Sequence, residues 1–302
     1  MISSVNRNSM RGQQQARPKS IRFAAVSVAL IVALSIDLSL NLRQASAEDG
    51  TTPSTTASTD SGNRGQSKTL QGGVNHSEQL PSLQESLRPG SVYSDGLLLK
   101  SGIETNDLWY YIPSWYAGTR HVDDNFIFYR YDYKTNEETQ PMLRQLNRQD
   151  STAGCLRDRK GGIWDFKHTP IIQHVESDRV NAVLFVRRFT PLAGNEDRLV
   201  LKYDEISISI DKKSNKIVEV TQQEQINTVT NPHPGTLRVD ASTKSFAWDG
   251  TPQRLEQAVM ISKITKPFEP RETLNGINLP PLFKEYLVSH HLADLVPEDL
   301  SK

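Results

Sequence analysis

Cysteine is almost absent. The single thiol, Cys155, has no partner for an intrachain disulfide, and without a C-x-x-C pair there is no thiol redox couple and no thiolate metal cage. Long apolar runs are scarce as well. The run Phe23–Ile36 spans 14 residues, short of the ~20 that a membrane-crossing helix needs. There is no excess of one charge, with 35 basic and 35 acidic residues and no concentrated basic face, which argues against a nucleic-acid partner. No G-x-S-x-G elbow, Walker loop or H-E-x-x-H spacing occurs, so no nucleophile, phosphate cradle or zinc site announces itself.

What is present begins with a leader. Arg17, Lys19 and Arg22 precede the apolar run, and Ala45-Ser46-Ala47 follows it, the order of an export signal and its cleavage site. Residues 1–47 are expected to be a signal peptide cleaved after Ala47, leaving no stable membrane span; an uncleaved anchor over Ile21–Leu42 is the alternative. Without a cysteine after the run, a bacterial lipid anchor is not expected. Export points to the periplasm or exterior of a bacterium. Removing the leader takes away six basic residues and one acid, so the remainder holds 29 basic and 34 acidic residues. Residues 48–90 are rich in Thr, Ser, Gly, Gln and Asn and read as a disordered polar linker, with a helical turn or two at Ser82–Arg88. Residues 91–302 then carry the folded domain.

The domain reads in period two. Ten aromatic residues crowd Asp107–Tyr133, and each can remove roughly 150–250 Å² from water when buried. Ile163–His168 alternates Trp164, Phe166 and His168 with Asp165 and Lys167. Arg179–Thr190 is apolar on both faces. In Arg198–Ile210 the apolar positions are Leu199, Leu201 and Tyr203, then Ile206, Ile208 and Ile210; this change of parity predicts a β-bulge or corner near Asp204-Glu205. Val220–Thr230 is polar and reads as an exposed edge strand. Pro280-Pro281 opens a C-terminal helix, Leu282 to about Leu295. The expected class is mainly β: an antiparallel β-barrel or strongly curled sheet of roughly eight to ten strands with one C-terminal helix.

Trp115-Tyr116-Ala117-Gly118-Thr119 resembles the glycine-containing first strand of lipocalin-like (calycin) β-barrels. In that family the motif is Gly-x-Trp; here Gly118 and Thr119 lead to Arg120. The segment Ile112 to Thr119 is also similar to an I-P-x-W-x-x-G-T stretch in uncharacterised cyanobacterial and plastid proteins. The lipocalin resemblance implies a small apolar ligand held in a barrel.

The residues themselves point to no catalytic or metal set and no cofactor. Trp115, Tyr129, Tyr131, Trp164 and Phe185 are the candidate lining of an apolar ligand site. Three functions follow as expectations: an exported, non-enzymatic binder of a small apolar ligand; an accessory protein contacting another envelope protein through its polar edge strand; or a hydrolase without a recognisable motif, for which His121 and Asp123 are the acid-base pair.

Overall fold

Alternating side chains set most of the domain into strands, and their length comes from runs in which every second residue finds an apolar neighbour. The computed structural model describes residues 75–94, 96–99, 105–176 and 180–300. The expected signal peptide, 1–47, and residues 48–74 of the expected linker lie outside the described residues. Among the described residues no helix is long and apolar enough to cross a membrane.

The strands are β1 (Asn106–Ile112), β2 (Gly118–Asp132), β3 (Glu137–Thr139), β4 (Leu143–Ala153), β5 (Leu156–Arg157), β6 (Ile163–Thr169), β7 (Ile171–Glu176), β8 (Val180–Gly194), β9 (Arg198–Asp211), β10 (Ile217–His233), β11 (Thr236–Phe246), β12 (Pro252–Lys266), β13 (Thr273–Leu274) and β14 (Ile277–Asn278). All their pairings are antiparallel. The main sheet has nine strands in the order β3, β2, β12, β11, β10, β9, β8, β7, with β4 beside β2 next to β3. A three-stranded sheet, β1-β6-β5, packs in front of it, and β13 and β14 form a small hairpin.

The main sheet is neither a closed barrel nor strongly curled. Among the described residues it ends in two unpaired edges, β7 on one side and β3 with β4 on the other. The reason lies in the change of parity along β9. No bulge interrupts β9 at Asp204-Glu205, which pair in register with Glu224 and Gln223 of β10; the register shift is in the neighbouring β8, between Val186 and Arg188. Leu199 and Leu201 therefore face the front, under the three-stranded sheet, with Val229, Val239 and Met260. Ile206, Ile208 and Ile210 face the back, with Phe185, Ile217 and Val220. A barrel has one apolar interior. This sheet has two covered faces, each greasy over a different half of its strands.

The back face is covered by a strap, residues 75–94 and the one-turn helix α1 (Gly96–Leu99). Its first part, 75–90, falls within the expected linker but is tied down. Leu80 and Leu83 donate backbone hydrogen bonds to Gly250 and Trp248 (3.1 and 3.0 Å), and Gly90 donates to Ile217 at 2.7 Å. Leu87 and Leu98 are fully buried; each such side chain contributes about 1.5–3 kcal/mol of transfer free energy. Gly250 has φ +84°, and a Cβ there would run into the Leu80 carbonyl. Only glycine allows the strap to lie so close.

The strand Val220–Thr230, expected at an edge, is the centre of the main sheet, flanked along its length by β9 and β11. Its polar side chains are buried: Gln222, Gln223, Glu224, Gln225 and Asn227 all expose 3 % or less. Gln222 Nε2 donates to the Pro81 carbonyl at 2.9 Å, Glu224 accepts from Ser77 and Lys202, and Gln225 Nε2 donates to Asn227 Oδ1 at 3.0 Å, in place of bonds that water would otherwise supply.

The C-terminal helix α2 runs Leu279–Ser289, starting three residues earlier and ending sooner than the sequence suggested. Leu279, Phe283 and Leu287 form its buried stripe against Trp109, Trp164 and Phe166 of the small sheet. Pro280 and Pro281 sit in the first turn, where a missing N–H costs nothing.

Candidate functional site

Strand β6 is buried on both faces over its first four residues. Trp164 and Phe166 point to α2, whereas Ile163 packs toward the main sheet. Asp165 is therefore carried into the interior by its neighbours. It exposes 1 % of its surface and sits directly opposite Tyr110 of β1.

The Asp165 carboxylate is supplied with donors. Tyr110 Oη donates to it at 2.8 Å, the Gly154 N–H at 3.1 Å and the Cys155 thiol at 3.3 Å. Lys167 Nζ lies at 3.0 Å and Arg271 Nη2 at 3.7 Å. Arg271 is held by the Gly154 carbonyl, through Nη2 at 2.8 Å and Nε at 3.1 Å. Burial alone pushes the Asp165 carboxyl up. The Lys167 charge and hydrogen bond, the Tyr110 hydroxyl and Arg271 outweigh it and hold the group below its usual range. Burial, with the Asp165 charge adding to it, pushes the Cys155 thiol up to about 12 and Tyr110 well above its ordinary value. The cluster is thus a fixed array of charges whose thiol stays protonated, so Cys155 is no thiolate nucleophile.

This cluster forms one wall of a cleft. Strand β5 pairs only with Ile163 and Trp164, so β6 has an open flank beyond them. The cleft, about 520 Å³, runs along that flank toward β7 and the β13–β14 hairpin. Phe166, Pro170, Ile171, Ile172, Leu274 and Ile277 supply apolar walls. Lys167 and Arg271 supply the cationic groups and His168 an imidazole, whose Nδ1 lies 2.5 Å from the Asp107 carboxylate. This size and mixture of apolar wall with a few convergent polar groups suits a small organic ligand.

The five residues expected to line a ligand site do not converge. Trp164 is buried against Phe283 and Tyr286 of α2. Phe185 is fully buried under the strap. Trp115 lies half-buried in a single 3₁₀ turn after β1, its indole N–H donating to the Glu196 carbonyl at 2.6 Å. Tyr129 and Tyr131 stand half-buried on the back face of β2, paired with Gln257 and Leu255. None of them lines the cleft. Their scatter follows from two covered sheet faces and a second sheet, which share out alternate aromatics.

His121 lies between Asp150 at 2.7 Å and Asp123 at 3.3 Å on the outer surface of β2 and β4. Hydrogen bonding to Asp150 is the largest effect on its pKa and raises it. His121 is half-exposed, Asp123 and Asp150 are exposed, and the trio lies outside the cleft. Among the described residues no group of three or more His, Cys, Asp or Glu could hold a metal ion.

Sequence reasoning missed Asp165 and Arg271. The signal for Asp165 was visible: a carboxylate alternating with Trp164 and Phe166 in a short strand. The alternation alone leaves open which face is buried, because nothing local shows that both sides of the strand are covered. Compared with known family models, with curated proteins and with solved structures, the chain matches none.

Proposed function

We propose that this chain is an exported binding protein that takes a small, mainly apolar ligand in the cleft beside β6. The observation that carries this is the cleft itself: six apolar residues facing a rim with Lys167, His168 and Arg271. Apolar burial would supply most of the affinity, and the cations would fix one polar or anionic end of the ligand. Asp165 holds Lys167 and Arg271 in place and limits their net charge. The expected periplasmic or extracellular location belongs to the same proposal.

The test is a titration of the purified protein with 1-anilinonaphthalene-8-sulfonate and with dodecanoate, followed by fluorescence and competition. Ile277→Trp fills the cleft from its hairpin wall. Saturable binding that the substitution abolishes supports the reading. Binding that persists unchanged in the variant, or none by either probe, overturns it.

A second reading, contact with an envelope protein, is favoured by a different observation. The edge strand β4 and the residue before it expose Leu146 (67 %) and Met142 (68 %). Exposed apolar groups on an unpaired edge suit a partner strand. Paired Leu146→Lys and Met142→Lys substitutions would remove a partner recovered by crosslinking and leave probe binding in the cleft intact.

A further inference from the structure

The front face of the main sheet is apolar only where the three-stranded sheet covers it. Nearer the β11–β12 turn it becomes polar in an ordered way. Cross-strand pairing builds two rungs of side chains, each five strands wide. One rung runs Glu205, Gln223, Ser245, Arg254, Asp132. The next runs Tyr203, Gln225, Thr243, Glu256, Arg130. Neighbouring strands lie ~4.8 Å apart, so donors and acceptors repeat at that interval across the sheet.

A groove of about 510 Å³ opens over these rungs. Thr221, Gln223, Thr243, Ser245, Arg254 and Glu256 form its floor, and Tyr133 stands at its side. One buried polar atom of the groove's lining, Arg254 Nε, makes no hydrogen bond to the described residues. A buried donor of this kind is ordinarily paired, and the described residues offer this one no partner.

We infer that this groove is a second binding site, for a neutral carbohydrate of two or three sugar units. Carboxylates (Asp132, Glu219, Asp249 and Glu256) outnumber cations (Lys134 and Arg254) along the groove, so a strong anion is not selected. Only Ala247 and Pro252 line the groove with purely apolar surface, which leaves a lipid little to bury against. The strands beneath are interior to the sheet and already paired on both sides, so no peptide can add to the ladder. What remains complementary to closely spaced hydroxyl, amide, guanidinium and carboxylate groups is a ligand presenting many hydroxyls, each able to donate and accept. The site is separate from the cleft beside β6 and shares no lining residue with it.

The test uses the purified protein and saturation-transfer NMR with maltotriose, cellotriose and N,N′,N″-triacetylchitotriose, each at ~10 mM. Thr243→Val and Ser245→Ala each remove one half-exposed hydroxyl and little volume. At least one trisaccharide is expected to receive saturation, and each variant to weaken that ligand about 5–10-fold, the loss of one hydrogen bond. Unchanged circular dichroism and melting confirm that both variants fold. No transfer to any of the three sugars, or transfer undiminished in both folded variants, overturns the inference.

Discussion

Asp165 and Glu205 are buried to within 1 % and 2 % of full exclusion, yet the protein treats them in opposite ways. Asp165, between the two sheets, faces Lys167, Arg271, a tyrosine hydroxyl and a backbone N–H, and its carboxyl is held below its usual range. Glu205, in a rung of the main sheet, has one carboxylate oxygen without a partner, and burial, with the Asp204 charge adding to it, pushes its carboxyl up to about 7. Depth of burial does not decide the charge state of a carboxylate; the donors around it do. The contrast also separates two kinds of polar interior. The Asp165 network is complete within the chain and rigidifies a cleft wall. The Glu205 rung leaves a carboxylate oxygen without a partner among the described residues.

The largest expected effect comes from removing the well-served acid. Asp165→Ala leaves Lys167 and Arg271 as partly buried cations without their counter-charge, and unfolding in urea should show a loss of about 3–5 kcal/mol. A loss below about 1 kcal/mol would break the comparison, because the network would then contribute little. The sign of its pH dependence is that of a depressed acid: its contribution is present above the unfolded pKa and disappears as pH falls through the folded one.

Glu205 should behave in the opposite sense. Its folded pKa of about 7 exceeds the ordinary 4.5. Between those values the unfolded chain ionises while the folded one keeps its proton, so stability falls with rising pH, by up to about 3 kcal/mol once both are passed. Glu205→Gln removes that slope. The variant should match the parent near pH 4 and exceed it at pH 8; an equal urea midpoint difference at both pH values would contradict the assignment.

Glu224, on the back face, sharpens the contrast because it resembles Asp165 from the other side of the sheet. It accepts hydrogen bonds from the Ser77 N–H and hydroxyl at 2.7 and 2.8 Å, and from Lys202 at 2.7 Å. Burial acts to raise it, but these partners and His76 take it far below its usual range. Glu224→Gln should cost about 1–3 kcal/mol and loosen the strap first, which hydrogen exchange at Leu80 and Leu83 would report ahead of global unfolding. Gly250→Ala, which brings a Cβ against Leu80, should release the same amides. The smallest effect is chemical. Cys155, at about 12, should resist iodoacetamide at pH 8 in the folded protein and react only in denaturant.

Much of the architecture was legible in residue order. Strand positions, the DKKSNK turn between β9 and β10, and a proline-opened terminal helix follow from alternation, turn chemistry and the missing proline N–H. The switch from Leu199 and Leu201 to Ile206 and Ile208 was also legible, but its meaning was not. A parity change reports that both faces find cover without saying what covers them; a bulge and two separate layers leave the same trace. The polar run in β10 misled for a related reason. Gln, Glu and Asn in a strand read as solvent-facing unless their partners are known, and those partners are the strap and the rungs of neighbouring strands.

Sequence by itself determined the leader-like apolar run, the β class and the alternation of each strand, because these depend on side chains a few residues apart. Only the tertiary structure decided that the sheet stays open, that β10 lies at its centre, and that Asp165 and Arg271 meet at a cleft. Ser77 and Glu224 are 147 residues apart, and Tyr110 and Asp165 are 55. Contacts at such separations cost chain entropy to close and are fixed by the whole packed core, so no local pattern records them.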